Sequence, residues 1–213
     1  MLRRLFLSRF AGAPVLFGLG GQATAAPAAP ARTSPFEAER HTLDDWMDQV
    51  PGRHRVVFDT WTAAEFQNAV QFAGNIFRGN KDGYSLSDKD VAMIITVRHH
   101  TAPFAFTDAL WAKYGVHFSK RMSFVDPATK QAPTANLYGR QVSNLIQQGV
   151  HMAVCNLTTR AYTRIIADAT GKPDEEIYKE LTTGTLGNSH FVPAGVVAVT
   201  RAQEHGYTLV SVG

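Results

Sequence analysis

LIQQGVHMAVCNLTTRAYTRII, residues 145–166, is the stretch on which the fold turns. Its first residues end a helical pattern that begins at Asn136 and is stopped by Gly149. Val150–Cys155 (VHMAVC) is then an apolar run of strand length, and a helical pattern follows at once, from about Thr158 to Ala169. Gly171-Lys172-Pro173 closes that second helix. A strand set between two helices must reach its neighbours by crossover connections, and strands joined in that way lie parallel.

The same alternation extends in both directions. Toward the N-terminus, Val91–Val97 (VAMIITV) is a continuous apolar run, as expected of a strand covered on both faces. Arg55–Asp59 (RVVFD) is a further strand, after the turn-forming Pro51-Gly52. Between these strands, Ala64, Phe66, Ala69, Val70, Ala73 and Phe77 recur at helical spacing over Thr62–Phe77, with Thr62 as cap, and Gly79–Asp90 reads as a loop. Phe104–Tyr114 reads as a helix ending at Gly115, and Val116–Gln131 as an irregular excursion with a short strand around Met122–Val125. Toward the C-terminus come a helix at Asp174–Leu181, a very short strand at Phe191–Pro193, a helix at Ala194–Glu204 and a last strand at Tyr207–Val212. The expected fold is α/β: one domain over residues 45–213, a mainly parallel five-stranded sheet with helices on both faces. There is no internal repeat.

Of the 213 residues, 45% are hydrophobic and 18% charged, which excludes a disordered tail, a collagen-like rod and a disulfide-stapled miniprotein. One cysteine, Cys155, excludes an intrachain disulfide and any Cys-rich metal cluster. Residues 1–26 have the three parts of an export signal: Arg3-Arg4 before Leu5-Phe6-Leu7, a modest apolar middle, and small residues through Ala25-Ala26 where cleavage is expected. The paired arginines resemble a twin-arginine signal, which implies a periplasmic protein. The apolar stretch, broken by Arg9, Pro14 and several glycines, falls short of a membrane span, so none is expected in the mature chain. The competing reading is an amphipathic N-terminal helix kept as an anchor. Residues 27–44, opening with PAAPARTSP, read as a flexible linker and N-terminal segment. Removing residues 1–26 takes three arginines and no acid, leaving 18 Lys+Arg against 18 Asp+Glu and no basic excess for nucleic acid.

In an open parallel sheet, sites form outside the carboxyl ends of the strands. Here those ends present Asp59, then Arg98-His99-His100, then Cys155, then Pro193. Cys155 stands where a buried strand meets a helix N-terminus, and the backbone N–H groups at Asn156, Leu157 and Thr158 are placed to stabilise an anion on its sulfur. A free cysteine is equally at home as a small buried hydrophobe. His99, His100 and Arg98 are the candidates to supply charge or move a proton. Adjacent histidines point to opposite faces while a strand lasts, so at most one of them faces Cys155 unless the strand has ended. A His/Cys metal site is the weaker reading, because neighbours in sequence chelate one ion awkwardly. Phe104 and Trp111 read either as a core face or as a pocket wall above Cys155, with Asp59 and Pro193 completing the wall. No cofactor is implied: FDTWTAAEF stands where a Gly-rich phosphate loop would follow the first strand, and no G-x-S-x-G elbow occurs.

Leu145–Ile166 resembles the cysteine-bearing segment of the DsrE/DsrF-like family, and FVPAGVVAVTRAQEHGYTLVSVG (Phe191–Gly213) resembles that family's last helix and strand. PGRHRVVFDT (Pro51–Thr60) and VRHHTAPFAFTDALWAKYG (Val97–Gly115) look like an exported branch of it. The resemblance implies a small α/β sandwich that assembles as homo- or hetero-oligomers. It also implies that the cysteine matching Cys155 carries sulfur as a persulfide between a donor and an acceptor protein. The last strand here holds no second cysteine, so a two-cysteine relay within one subunit is excluded. Two functions stand against each other: a periplasmic sulfur carrier acting through Cys155, and a non-catalytic oligomeric binding or accessory protein in which Cys155 is buried. Exposure of the sulfur separates them.

Overall fold

The computed structural model describes residues 37–213, so the expected export signal and most of the linker fall outside the described residues. A short 3-10 turn at Thr42–Asp44 leads into α1 (Asp45–Gln49), β1 (His54–Thr60), α2 (Ala63–Tyr84), β2 (Val91–Val97) and α3 (Asp108–Met122). There follow α4 (Gly139–Gln147), β3 (Val150–Cys155), α5 (Asn156–Thr170), α6 (Asp174–Thr183), β4 (Ser189–Val192), α7 (Gly195–Glu204) and β5 (Thr208–Val210). The strands form one sheet in the order β4-β3-β2-β1-β5, every pairing parallel. This is the expected α/β architecture.

Alternation along the strands divides the interior in two. Phe58, Met93, Ile95, Val97, Met152 and Val154 face the larger core, shared with α2 to α6. Val57, Ala92, Ile94 and Ala153 face a smaller core under α1 and α7, with Met47, Val50, Ala198 and Ala202. All residues of β2 are buried because it lies mid-sheet with both faces covered. Among the described residues, no helix is long and apolar enough to cross a membrane.

Several boundaries differ from the sequence expectation, for physical reasons. Asp44 is buried and lies 3.7 Å from Arg201 of α7, so part of the expected flexible segment ahead of residue 45 is packed on the domain. α2 continues through Gly79 and Gly83, since a helix-interior glycine costs only about 1 kcal/mol and does not stop an otherwise supported helix. It ends at Ser85, which takes the left-handed conformation at φ 56°. Phe104 belongs to a separate 3-10 turn, Ala102–Ala105, opened by Pro103. α3 then runs straight through Gly115 to Met122, leaving no strand around Met122–Val125. Gly115 is there for close approach: a Cβ on it would stand 2.1 Å from the Pro133 carbonyl oxygen. α4 starts three residues after Asn136, whose side-chain amide is engaged in donating to the carbonyls of Phe104 and Phe106 at 2.8 and 2.9 Å.

Candidate functional site

At the carboxyl ends of the central strands, alternation puts Asp59, Arg98 and Cys155 on the α7 side of the sheet, opposite Phe58, Val97 and Val154. Arg98 Nε and Nη2 donate to the two carboxylate oxygens of Asp59 at 2.7 and 2.8 Å. That bidentate bond raises the guanidinium above the ordinary arginine range, with burial opposing and a smaller push from nearby Cys155. α7 begins directly on this pair: a Cβ at Gly195 would meet Arg98 Cβ at 2.7 Å and Thr96 Cγ2 at 3.2 Å. Pro193, just before it, is exposed.

β2 ends at Val97, so His99 and His100 sit in a tight turn and not on alternating strand positions. The turn is fastened from beneath. The Arg98 N–H donates to Thr101 Oγ1 at 3.0 Å, and the Thr60 hydroxyl donates to the Thr96 carbonyl at 2.8 Å. The His99 N–H donates to Thr158 Oγ1 at 3.0 Å. His99 holds a left-handed φ of 55°, and its ring stacks on that of His100 with centroids 4.3 Å apart. Burial lowers the pKa of His100, and the neighbouring His99 and Arg121 lower it further.

Trp61, absent from the residues expected at the strand ends, completes the cluster. It is 48% exposed, with its ring 6.0 Å from that of His99 and 5.5 Å from the Arg98 guanidinium carbon. Its indole N–H donates to Glu65 at 2.6 Å. Burial pushes the Glu65 carboxyl up, but hydrogen bonds from Trp61 and Thr62 outweigh it and hold the group below its ordinary range. The signal was there to read: Thr62-x-x-Glu65 is a capping box, and the residue ahead of such a box at a strand's carboxyl end is held in place. A cleft of about 330 Å³ opens beside Asp59 and Glu65, bounded otherwise by residues 209–213; Cys155 is not among its lining residues.

Cys155 is 5% exposed and is the N-cap of α5, yet its side chain makes no capping hydrogen bond. The backbone N–H groups of Asn156, Leu157 and Thr158 open α5 directly after Cys155, and the side chains of these residues have surroundings of their own. The Asn156 side-chain oxygen accepts from the Tyr178 hydroxyl at 2.8 Å, Leu157 is exposed, and the Thr158 hydroxyl holds the His99 turn. Phe104 and Trp111 do not form a wall above Cys155. Both are fully buried in the larger core on the far side of the sheet from Cys155, where Trp111 Nε1 donates to the Pro103 carbonyl at 2.9 Å. Phe104, from the 3-10 turn, and Trp111, from α3, serve packing. His190, expected ahead of its strand, lies within β4 opposite Ala153, on the edge of the sheet. Among the described residues, no group of three His, Cys, Asp or Glu side chains is placed to hold a metal ion.

No protein-family model and no curated protein matches this chain. A protein of unknown function from Methanobacterium thermoautotrophicum, MTH1491, has a similar solved structure at a TM-score of 0.41 and 17% identity, over 74% of this chain and 98% of that one.

Proposed function

We propose that this is an exported, DsrE/F-like binding or accessory protein that works as an oligomer. Its recognition surface is the ridge of Trp61, Arg98, His99 and His100 at the carboxyl ends of β1 and β2. One observation carries the reading: Cys155 is 5% exposed and caps nothing, whereas Trp61 stands out beside a cationic and imidazole cluster fixed by hydrogen bonds. Exposed aromatic and arginine side chains on a rigid base are the usual anchors of recognition surfaces. DsrE/F-like kinship is supported by the cysteine-bearing strand-to-helix junction and the closing helix-strand unit, both in the order that the family resemblance implies.

A second reading, sulfur relay through Cys155, is favoured by the position of that residue. It begins a 15-residue helix on the same face as Arg98, whose charge senses it. Alkylation of the natively folded protein with a small thiol reagent across pH, read by intact mass, separates the two. The binding protein reacts only as it unfolds. Rapid native modification with a midpoint well below about 8.5, or a mass already larger by one sulfur, would overturn it in favour of the carrier.

A further inference from the structure

α3 and α5 enclose a second cleft, of about 550 Å³, lined by His117, Lys120 and Arg121 on one side and by Ile165, Asp168 and Ala169 on the other. Arg121 is its unusual member. Partly buried basic residues elsewhere in the described chain each have a carboxylate: Arg55 with Asp48, Arg98 with Asp59, Arg160 with Glu175, Lys172 with Glu176, and Arg201 with Glu204. Arg121, also partly buried, has none. All 18 acids of the chain lie at residue 37 or later, so none is available from the remaining residues.

Behind the lining residues, Arg121 packs on a buried aromatic ring. The Arg121 guanidinium carbon lies 5.0 Å over the ring of Tyr162, a residue with 0% exposure. Arg121 Nε and the Tyr162 hydroxyl are both closed off from solvent, and neither makes a well-formed hydrogen bond, so each has at most the other as a polar neighbour. Burial raises the Tyr162 phenol pKa, with the neighbouring Arg121 opposing, so it offers Arg121 no negative charge. Lys120 and Arg121 stand in the last turn of α3, where the helix dipole favours cations, but an exposed charge satisfies that preference and does not call for a buried Nε. A partly desolvated guanidinium without a counter-charge is costly, and an anion supplied from outside removes the cost.

We propose that this cleft is a binding site for a tetrahedral oxyanion, a phosphate or sulfate group. The outer N–H groups of the Arg121 fork would be the principal ligand, with Lys120 and His117 as flanking donors. The planar fork suits oxyanion geometry, and Lys120 adds a point charge. Asp168, exposed on the opposite wall, is the lining acid and sets the side from which the anion is repelled. The site does not depend on the state of Cys155.

The test uses the full chain, ¹⁵N-labelled, titrated separately with inorganic phosphate and inorganic sulfate at ionic strength held constant with chloride. Arginine Nε–H and histidine ring signals are followed. Saturable movement of the Arg121 and His117 signals below about 10 mM, by either anion, is the expected result. In Arg121→Ala, affinity is expected to fall about tenfold, and a loss of threefold or more supports the site. If that variant does not fold, Arg121→Lys is read in its place against the same threefold line, since it keeps the charge and loses the fork. Movement that stays linear to about 10 mM, saturation confined to other signals, or affinity retained within about threefold would overturn the proposal.

Discussion

Arg98 holds both carboxylate oxygens of Asp59, at 2.7 and 2.8 Å, directly beneath the first residue of α7. This cation, close enough to Cys155 to feel its charge, is therefore already committed to a carboxylate. The same pair fixes the end of β2 against β1 and so sets the ridge that carries Trp61, His99 and His100. The side chains are 25% and 27% exposed, so solvent screening reduces what the charges contribute. Asp59→Ala is expected to cost about 1–2 kcal/mol and lower the melting temperature by about 3–6 °C, read by calorimetry. A variant that melts with the wild type would show that the pair has no structural role.

Cys155 as a packed residue makes its own prediction. Cys155→Ala removes one buried sulfur and is expected to destabilise by about 1 kcal/mol in urea unfolding. Cys155→Ser buries a hydroxyl in its place and, with the side chain kept in the cysteine's non-capping position, is expected to cost more, about 1–3 kcal/mol; a serine that turned to cap α5 would offset part of that. If the sulfur were strained or activated for chemistry, removing it would leave stability unchanged or increase it.

Two glycines in helices make opposite predictions. Gly115→Ala places a Cβ 2.1 Å from the Pro133 carbonyl oxygen, a backbone atom that cannot rotate away, and is expected to cost about 3 kcal/mol or more. Gly74 of α2 has nothing within 4 Å of a Cβ, so Gly74→Ala is expected to stabilise by about 0.5–1 kcal/mol. Chemical denaturation of both variants measures the contrast directly, and equal effects would contradict the close approach of α3 to the segment around Pro133.

These glycines also mark what can be read from sequence. The alternation of Val91–Val97, Val150–Cys155 and their neighbouring helices is a local pattern, and the parallel sheet follows from it. Gly79 and Gly115 are locally indistinguishable from helix stops, because what keeps a helix going, or demands a missing side chain, is a residue distant in sequence such as Pro133. Phe104 and Trp111 illustrate the same limit: an aromatic periodicity says that a face is covered, not whether protein or ligand covers it. The strand ends placed Asp59, Arg98, His99 and His100 together, since that follows from topology. The burial of Cys155 did not follow, because VHMAVC reads the same whether its last residue is covered or open. Trp61 was missed for a different reason: its position depends on Thr62 and Glu65 acting as one cap.

The edge of the sheet holds a pH-sensitive pair. His151 Nδ1 and His190 Nε2 are 2.8 Å apart, so one ring must donate to an unprotonated nitrogen of the other, and Trp46 stacks on His190 at 3.9 Å. Burial, reinforced by the charge of His151, takes the His190 pKa down to about 4, and burial lowers that of His151 as well. An unfolded histidine titrates near 6.5, so between about pH 6.5 and 4 the unfolded chain binds protons that the folded pair refuses. Stability is therefore unaffected by the pair above about pH 6.5 and declines as pH falls through that window, by about 1–3 kcal/mol after allowing for partial exposure. Glu65, Asp48, Asp90 and Glu180 are held below their ordinary ranges and act only toward the acid end of that window and below it. Burial of His100 adds a smaller contribution of the same sign. Urea unfolding at pH 7, 5.5 and 4.5 should show the decline, and His190→Gln should remove at least half of it. A variant whose stability falls as steeply as the wild type's over the same interval would show that the pair is already protonated, or open to water, in the folded protein.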